Sequence, residues 1–154
     1  MENFEMSSNV KIKIHDYDIW SMDSTLSYII LPMLKMVQKD KHGSPFVDDA
    51  DVPEEIRSTS CKAKEYEYDT DENYHKRWDY IIEELIWTFE QLHPDNDWED
   101  QYYSGTLKLN TSNVAPVFET SDDYKIDEEG RSVHAKRIQR GCELFGKYFQ
   151  NLWT

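Results

Sequence analysis

The stretch Glu72–Leu92, ENYHKRWDYIIEELIWTFEQL, decides the fold class. Within it Trp78, Ile81, Ile82, Leu85, Ile86 and Phe89 recur at three- and four-residue spacing, which gathers them on one face of a helix. The pattern predicts a helix over about 72–92. His93-Pro94 stops it, because proline has no amide N–H to donate and disfavours helical angles in the residue before it. A helix with so wide an apolar stripe is marginal alone in water and needs neighbours to cover it.

Two further stretches supply them. Over about 24–39, Leu26, Ile29, Ile30, Met33, Leu34 and Val37 fall on one helical face, with Ser21 or Asp23 placed to cap the start and Gly43 and Pro45 to end it. Pro32 lies inside and is expected to kink this helix. Over about 132–152, Ala135, Ile138, Cys142, Phe145, Phe149 and Leu152 form a 3-4-3-4-3 stripe, and Gly141 and Gly146 are expected to let a neighbouring helix come close. Cys142 reads as a small core residue on that stripe. In Asn9–Trp20, Val10, Ile12 and Ile14 alternate with Lys11, Lys13 and His15, the period of a half-buried strand. Thr106–Leu109 or Val114–Phe118 is its candidate partner. The expectation is a mainly α single domain over 1–154: three long amphipathic helices packed as a bundle, a short β-strand or hairpin element, and two long acidic loops at about 43–70 and 94–130.

The net charge of −14 excludes general affinity for long nucleic acid, which depends on Lys and Arg neutralising phosphates. The charge is also polarised. Residues 40–74 are dominated by Asp and Glu, whereas 131–154 carry Arg131, Lys136, Arg137, Arg140 and Lys147 against Glu143 alone. No run of about 18 apolar residues suits a membrane helix, and MENFEMSSNV lacks the pattern of a secretory leader, so the expected location is a cytosol. Cys61 and Cys142 have no CxxC spacing, which fits a reducing compartment.

Catalytic patterns fail one by one. Asp69-Thr-Asp71-Glu-Asn73 begins like a calcium loop, but Tyr74 and Tyr80 stand where Gly and Glu are required. Glu72-Asn-Tyr-His75 and Glu90-Gln-Leu-His93 each match half of a di-iron motif, yet lie about 27 Å apart along one helix. Glu83-Glu84 suits an all-helical nucleotide hydrolase, but the third helix offers no answering acidic pair. No GxSxG, Walker or dinucleotide fingerprint is present. No catalytic residue, metal ligand or cofactor is therefore assigned.

The basic last helix is the better lead. Lys136, Arg140 and Lys147 share one side with Arg137 beside them, and guanidinium groups suit phosphates. Two readings stand: a solvated face that balances the acidic loops, or a site for a small phosphorylated ligand with an aromatic ring stacked on its base. The candidate ligand-binding set is His42 and Arg57 in the first loop, Trp78, Arg137 and Arg140. The acidic loops likewise either keep the chain soluble or engage a basic partner.

Trp20–Leu26 leading to Ile30–Lys35, Lys41–Pro45 with Val47-Asp48-Asp49 and Asp51–Glu55, Arg77–Asp79 through Ile86-Trp87, and Leu144–Phe149 with Leu152-Trp153 together resemble a family of small tailed-bacteriophage proteins with no established activity. The resemblance covers most of the helical body and not residues 95–128. It implies a phage origin and expression in the host bacterial cytosol. The expected function is an accessory binding protein that counters host defence or redirects a host process, taking a host protein or a nucleotide-like signal. Exposed aromatics favour a homo-oligomer. A nucleotide- or metal-dependent helical hydrolase and a virion component are the alternatives.

Overall fold

The stripe of 72–92 becomes α2, Tyr74–Gln91, and the other helices are laid upon it. A computed structural model describes residues 13–64, 66–111 and 117–154. In it Trp78, Ile81, Ile82, Leu85 and Phe89 are buried at the centre of a single apolar cluster. Each such side chain contributes on the order of 1.5–3 kcal/mol by leaving water.

Helix α1, Met22–Asp40, runs antiparallel to α2, held at its edges by Lys35–Glu90 at 2.7 Å and Lys41–Asp79 at 3.0 Å. Helix α3, Glu128–Tyr148, packs on another face of α2, and α1 and α3 barely touch each other. The expected α1 stripe therefore divides. Ile30, Leu34 and Val37 pack into the core, while Leu26 and Met33 face outward. Ser21 takes the N-cap position without a side-chain capping bond, and Pro32 is accommodated within the helix.

The third helix begins earlier than its stripe suggests. Asp127 caps it by accepting the Gly130 N–H, and Glu128 and Glu129 stand at the positive end of the helix dipole. The face it buries also differs from expectation. Ile138, Gly141, Leu144 and Tyr148 meet α2, whereas Ala135 and Cys142 are exposed and Phe149 remains largely open. Gly141 explains the rotation. A Cβ there would overlap the Thr88 hydroxyl, so the backbones approach at this point and its neighbours on the same face turn inward. Gly146, the other glycine expected to permit close approach, has nothing within 4 Å of its Cβ position.

The expected N-terminal strand is not found among its described residues; Val10 and Ile12 lie outside them. The Asp18 carboxylate accepts the His15 N–H at 2.6 Å and folds Asp16–Ile19 into a single 3-10 turn. The two candidate partner stretches pair with each other instead: β2, Leu107–Asn110, is antiparallel to β3, Val117–Thr120. Beneath them β1, Tyr103–Ser104, pairs with β4, Lys125–Ile126, so one hairpin is built in two tiers. Gly105 sits at the break with φ +82, its Cβ position 2.6 Å from the Tyr124 Cα, a place that only glycine fills without strain.

Candidate functional site

Residues 41–73 cross from α1 to α2 through three short 3-10 turns at Asp49–Asp51, Glu54–Ile56 and Ser58–Ser60. Two carboxylates anchor them. Asp51 is buried and accepts the Arg140 guanidinium, the Lys147 ammonium and the Tyr148 hydroxyl, the last at 2.7 Å. Tyr148 Oη in turn accepts the Asp48 N–H at 3.1 Å. Burial works to raise the Asp51 carboxyl, but hydrogen bonds from Lys147, Tyr148 and Arg140 outweigh it and hold the group below its ordinary value.

The second anchor is Asp71. It receives Arg77 Nη1 at 2.9 Å and Nη2 at 2.7 Å, a two-pronged pair shut away from water. Arg77 Nη1 also donates to the Ile56 carbonyl at 3.2 Å, and Asn73 Nδ2 to the Glu55 carbonyl at 3.3 Å. The Arg77 hydrogen bonds keep the Asp71 carboxyl far below the usual carboxylate range. Arg77 Nε is buried without a hydrogen-bond partner, with Asp49 Oδ1 at 3.9 Å.

Beside these anchors lies a broad cleft of about 840 Å³ whose lining includes Phe46, Asp49, Cys61, Tyr68, Asp69 and Arg77. Phe46 and Tyr68 are 76% and 83% exposed, so the cleft offers two large aromatic faces to solvent. Lys62, Lys64, Asp48, Glu67 and Asp71 also line it, making carboxylates the majority of its charged groups. Burial and the adjoining Asp71 push the Cys61 thiol up, and burial raises that of Cys142, so neither is poised as a thiolate nucleophile.

The five residues expected to hold a ligand are dispersed. His42 is exposed beyond the end of α1. Arg57 is half-buried, its Nε donating to the Val52 carbonyl at 3.3 Å. Trp78 is 1% exposed and packs edge-on to Tyr148, so it has no face left for a base. Arg137 lies 3.8 Å over the Trp87 ring and grips Glu84 through Nη2 at 2.6 Å and Nε at 3.1 Å. Arg140 is committed to Asp51. The structure links Trp78 and Arg140 only through Tyr148 and Asp51, and none of the five lines the large cleft. The reason is electrostatic: Arg137, Arg140 and Lys147 on the basic face of α3 are matched by Glu84 of α2 and by Asp48 and Asp51 of the first loop, so a phosphate would have to displace existing ion pairs to reach them.

Sequence reasoning passed over Asp51, Asp71, Arg77 and Tyr148. Arg77 carried a signal, since it precedes Ile81 by four residues and Leu85 by eight and so stands on the apolar stripe itself. Among the described residues no group of three or more His, Cys, Asp or Glu side chains converges as a metal site would. None of the described helices is long and apolar enough to cross a membrane.

A second polar cluster joins α3 to the segment before the hairpin. The His134 ring stacks on Trp98 with centroids 4.5 Å apart; its Nδ1 accepts the Tyr102 hydroxyl at 2.9 Å and its Nε2 donates to Gln91 Oε1 at 3.0 Å. Burial, with the Arg137 charge adding to it, lowers the His134 pKa and favours this neutral tautomer. Every ring nitrogen is used internally, so the histidine is a pin between elements rather than a free base.

Comparison with protein-family models, curated proteins and solved structures finds no match to this chain.

Proposed function

We propose that this chain is a non-enzymatic protein-binding factor whose acidic α1–α2 loop receives a basic segment of another protein. Following the resemblance to small tailed-phage proteins, that partner is a host protein of the bacterial cytosol, and its occupation counters a host defence or redirects a host process. The observation that carries this reading is the pair Phe46 and Tyr68, exposed at the cleft among Asp48, Asp49, Glu67 and Asp69. Aromatic faces attract the guanidinium and ammonium groups of Arg and Lys, and surrounding carboxylates draw such a segment in from a distance. The anchors at Asp51 and Asp71 support it further, because a loop already fixed loses less entropy on binding. The nucleotide-like ligand is less well supported, since Arg137 and Arg140 are spent on Glu84 and Asp51.

The test is binding of the purified chain to an array of Lys/Arg-rich host peptides, with a nucleotide panel run in parallel by heat release and mass spectrometry. Basic peptides should bind with an affinity that falls as salt rises, and Phe46→Ala with Tyr68→Ala should weaken them at least tenfold without lowering the melting temperature. Retention of an intact nucleotide, or its conversion to a product, would overturn the proposal.

A further inference from the structure

The carboxylates around the large cleft are not equally available. Asp48 is held by Lys147 at 3.3 Å and Asp71 by Arg77, while Asp49 accepts the Ser58 N–H at 2.8 Å together with the Ser58 hydroxyl. The Glu67 and Asp69 carboxylates also line the cleft, and they have no hydrogen bond or ion pair among the described residues. Tyr68 stands between them in sequence. The Tyr66 ring stacks on it with centroids 5.4 Å apart and planes 11° from parallel. Tyr68 lines the cleft and Tyr66 does not, so Tyr66 backs the ring and leaves its other face open. The same lining holds a donor that lacks an acceptor. Arg77 is 2% exposed with its Nε unpartnered, because the nearby Asp49 carboxylate is turned to Ser58.

We infer that the residue this cleft takes from its partner is an arginine, a specificity that rests on the acidic-loop reading above. The guanidinium lies on the open face of Tyr68 and points its N–H groups at Glu67 and Asp69. A main-chain carbonyl of the same segment accepts the Arg77 Nε–H. Arginine is selected over lysine by shape: a planar guanidinium keeps its face on a ring while its in-plane donors reach sideways to carboxylates, and it sheds water more readily than a compact ammonium. The chain makes this grip within itself, where Arg137 lies 3.8 Å over Trp87 and holds Glu84 through two nitrogens. Lys147, by contrast, meets Asp48 and Asp51 with its ammonium 5.6 Å from the Tyr148 centroid. A peptide is selected over a free cation by Arg77, since amines and guanidines bring no acceptor oxygen and every peptide unit does. Exposed Lys62 and Lys64 on the lining oppose any cation alike, so they leave the choice between arginine and lysine unchanged.

Fluorescence polarisation with labelled Gly/Ser peptides carrying arginine, lysine or citrulline at the same positions tests this inference. The arginine peptide should bind at least tenfold more tightly than the lysine peptide, and the uncharged citrulline peptide should not bind measurably. Glu67→Gln with Asp69→Asn should remove the arginine preference without lowering the melting temperature, because neither carboxylate holds anything in the free chain. The NMR signal of the Arg77 Nε–H should shift on saturation with the arginine peptide. Equal affinity for the arginine and lysine peptides overturns the inference and leaves the basic-segment reading standing. So does an arginine preference that survives in the double variant, or an Arg77 Nε–H signal that does not move. Failure of both cationic peptides to bind removes the basic-segment reading and this inference with it.

Discussion

Gly141 faces Thr88 across the α2–α3 contact with no room between them for a methyl group: a Cβ at 141 would overlap the Thr88 hydroxyl and come within 2.7 Å of its Cβ. Thr88 is wholly buried, and its hydroxyl donates back to the Glu84 carbonyl at 2.8 Å, so it has little freedom to yield.

Gly141→Ala should therefore destabilise the fold by about 2 kcal/mol, because overpacking exceeds the roughly 1 kcal/mol that alanine gains in helix propensity. Gly146→Ala meets open space and should instead add up to about 1 kcal/mol. Urea denaturation of both variants checks the pair, and the opposite signs are the diagnostic result.

Replacing Asp51 by Asn should cost about 2 kcal/mol, since the buried acceptor loses its charge while Tyr148 and two cations still point at it. Arg140→Met or Lys147→Met should cost less than about 1 kcal/mol each, because those heads are nearly half exposed and water replaces the lost partner. The same carboxyl has a pH signature. Asp51 and Asp71 titrate lower in the folded chain than in the unfolded one, so their stabilisation is complete above about pH 4, the unfolded carboxyl value, and is lost as pH falls through the lower folded values. Stability measured from pH 6 to pH 2 should decline steeply in that acid range, and Asp71→Asn should flatten the decline.

His134 loses stability in the same direction, but because burial favours its neutral form. Its folded pKa is below the ordinary histidine value, so the unfolded chain takes up the proton first. Its contribution to stability is present above about pH 6.5 and lost as pH falls below that value. Nitrogen–proton correlation NMR should show His134 with the proton on Nε2 near neutral pH and a titration midpoint below 6.5. A midpoint above it would mean that the Trp98–Tyr102 pocket does not enclose the ring.

The helices were legible because their signals are local. The stripe from Trp78 to Phe89 needs no knowledge of the rest of the chain, and both hairpin stretches were marked as strand candidates, though as alternative partners for Val10–Ile14 and not for each other. What escaped were relationships across distance. Which face of α3 turns inward depends on where Gly141 meets Thr88, so Cys142 and Ala135, regular members of the apparent stripe, ended in solvent. Asp51 is one acid among many in its loop, and nothing near it in sequence marks it as the one that draws in Arg140 and Lys147. The cations proposed for an anion site failed for that same reason, since a charge pattern read along one helix is silent about the acids packed beside it. Arg77 was passed over although its signal is local: a charge on an apolar stripe marks a buried ion pair.

The bond between Asp51 and Lys147 spans 96 positions, so that carboxylate gains its cations only when α3 is laid against the first loop. Without residues 131–154 the chain is more acidic, and Asp51 has neither Arg140 nor Lys147 to close upon, although Arg77 still holds the far end of the loop. A chain truncated at Gly130 should therefore be cleaved by protease within 43–71 where the 154-residue chain resists. Closure of the loop is thus coupled to docking of α3, and a chain lacking that helix would announce itself by an open, digestible acidic arm.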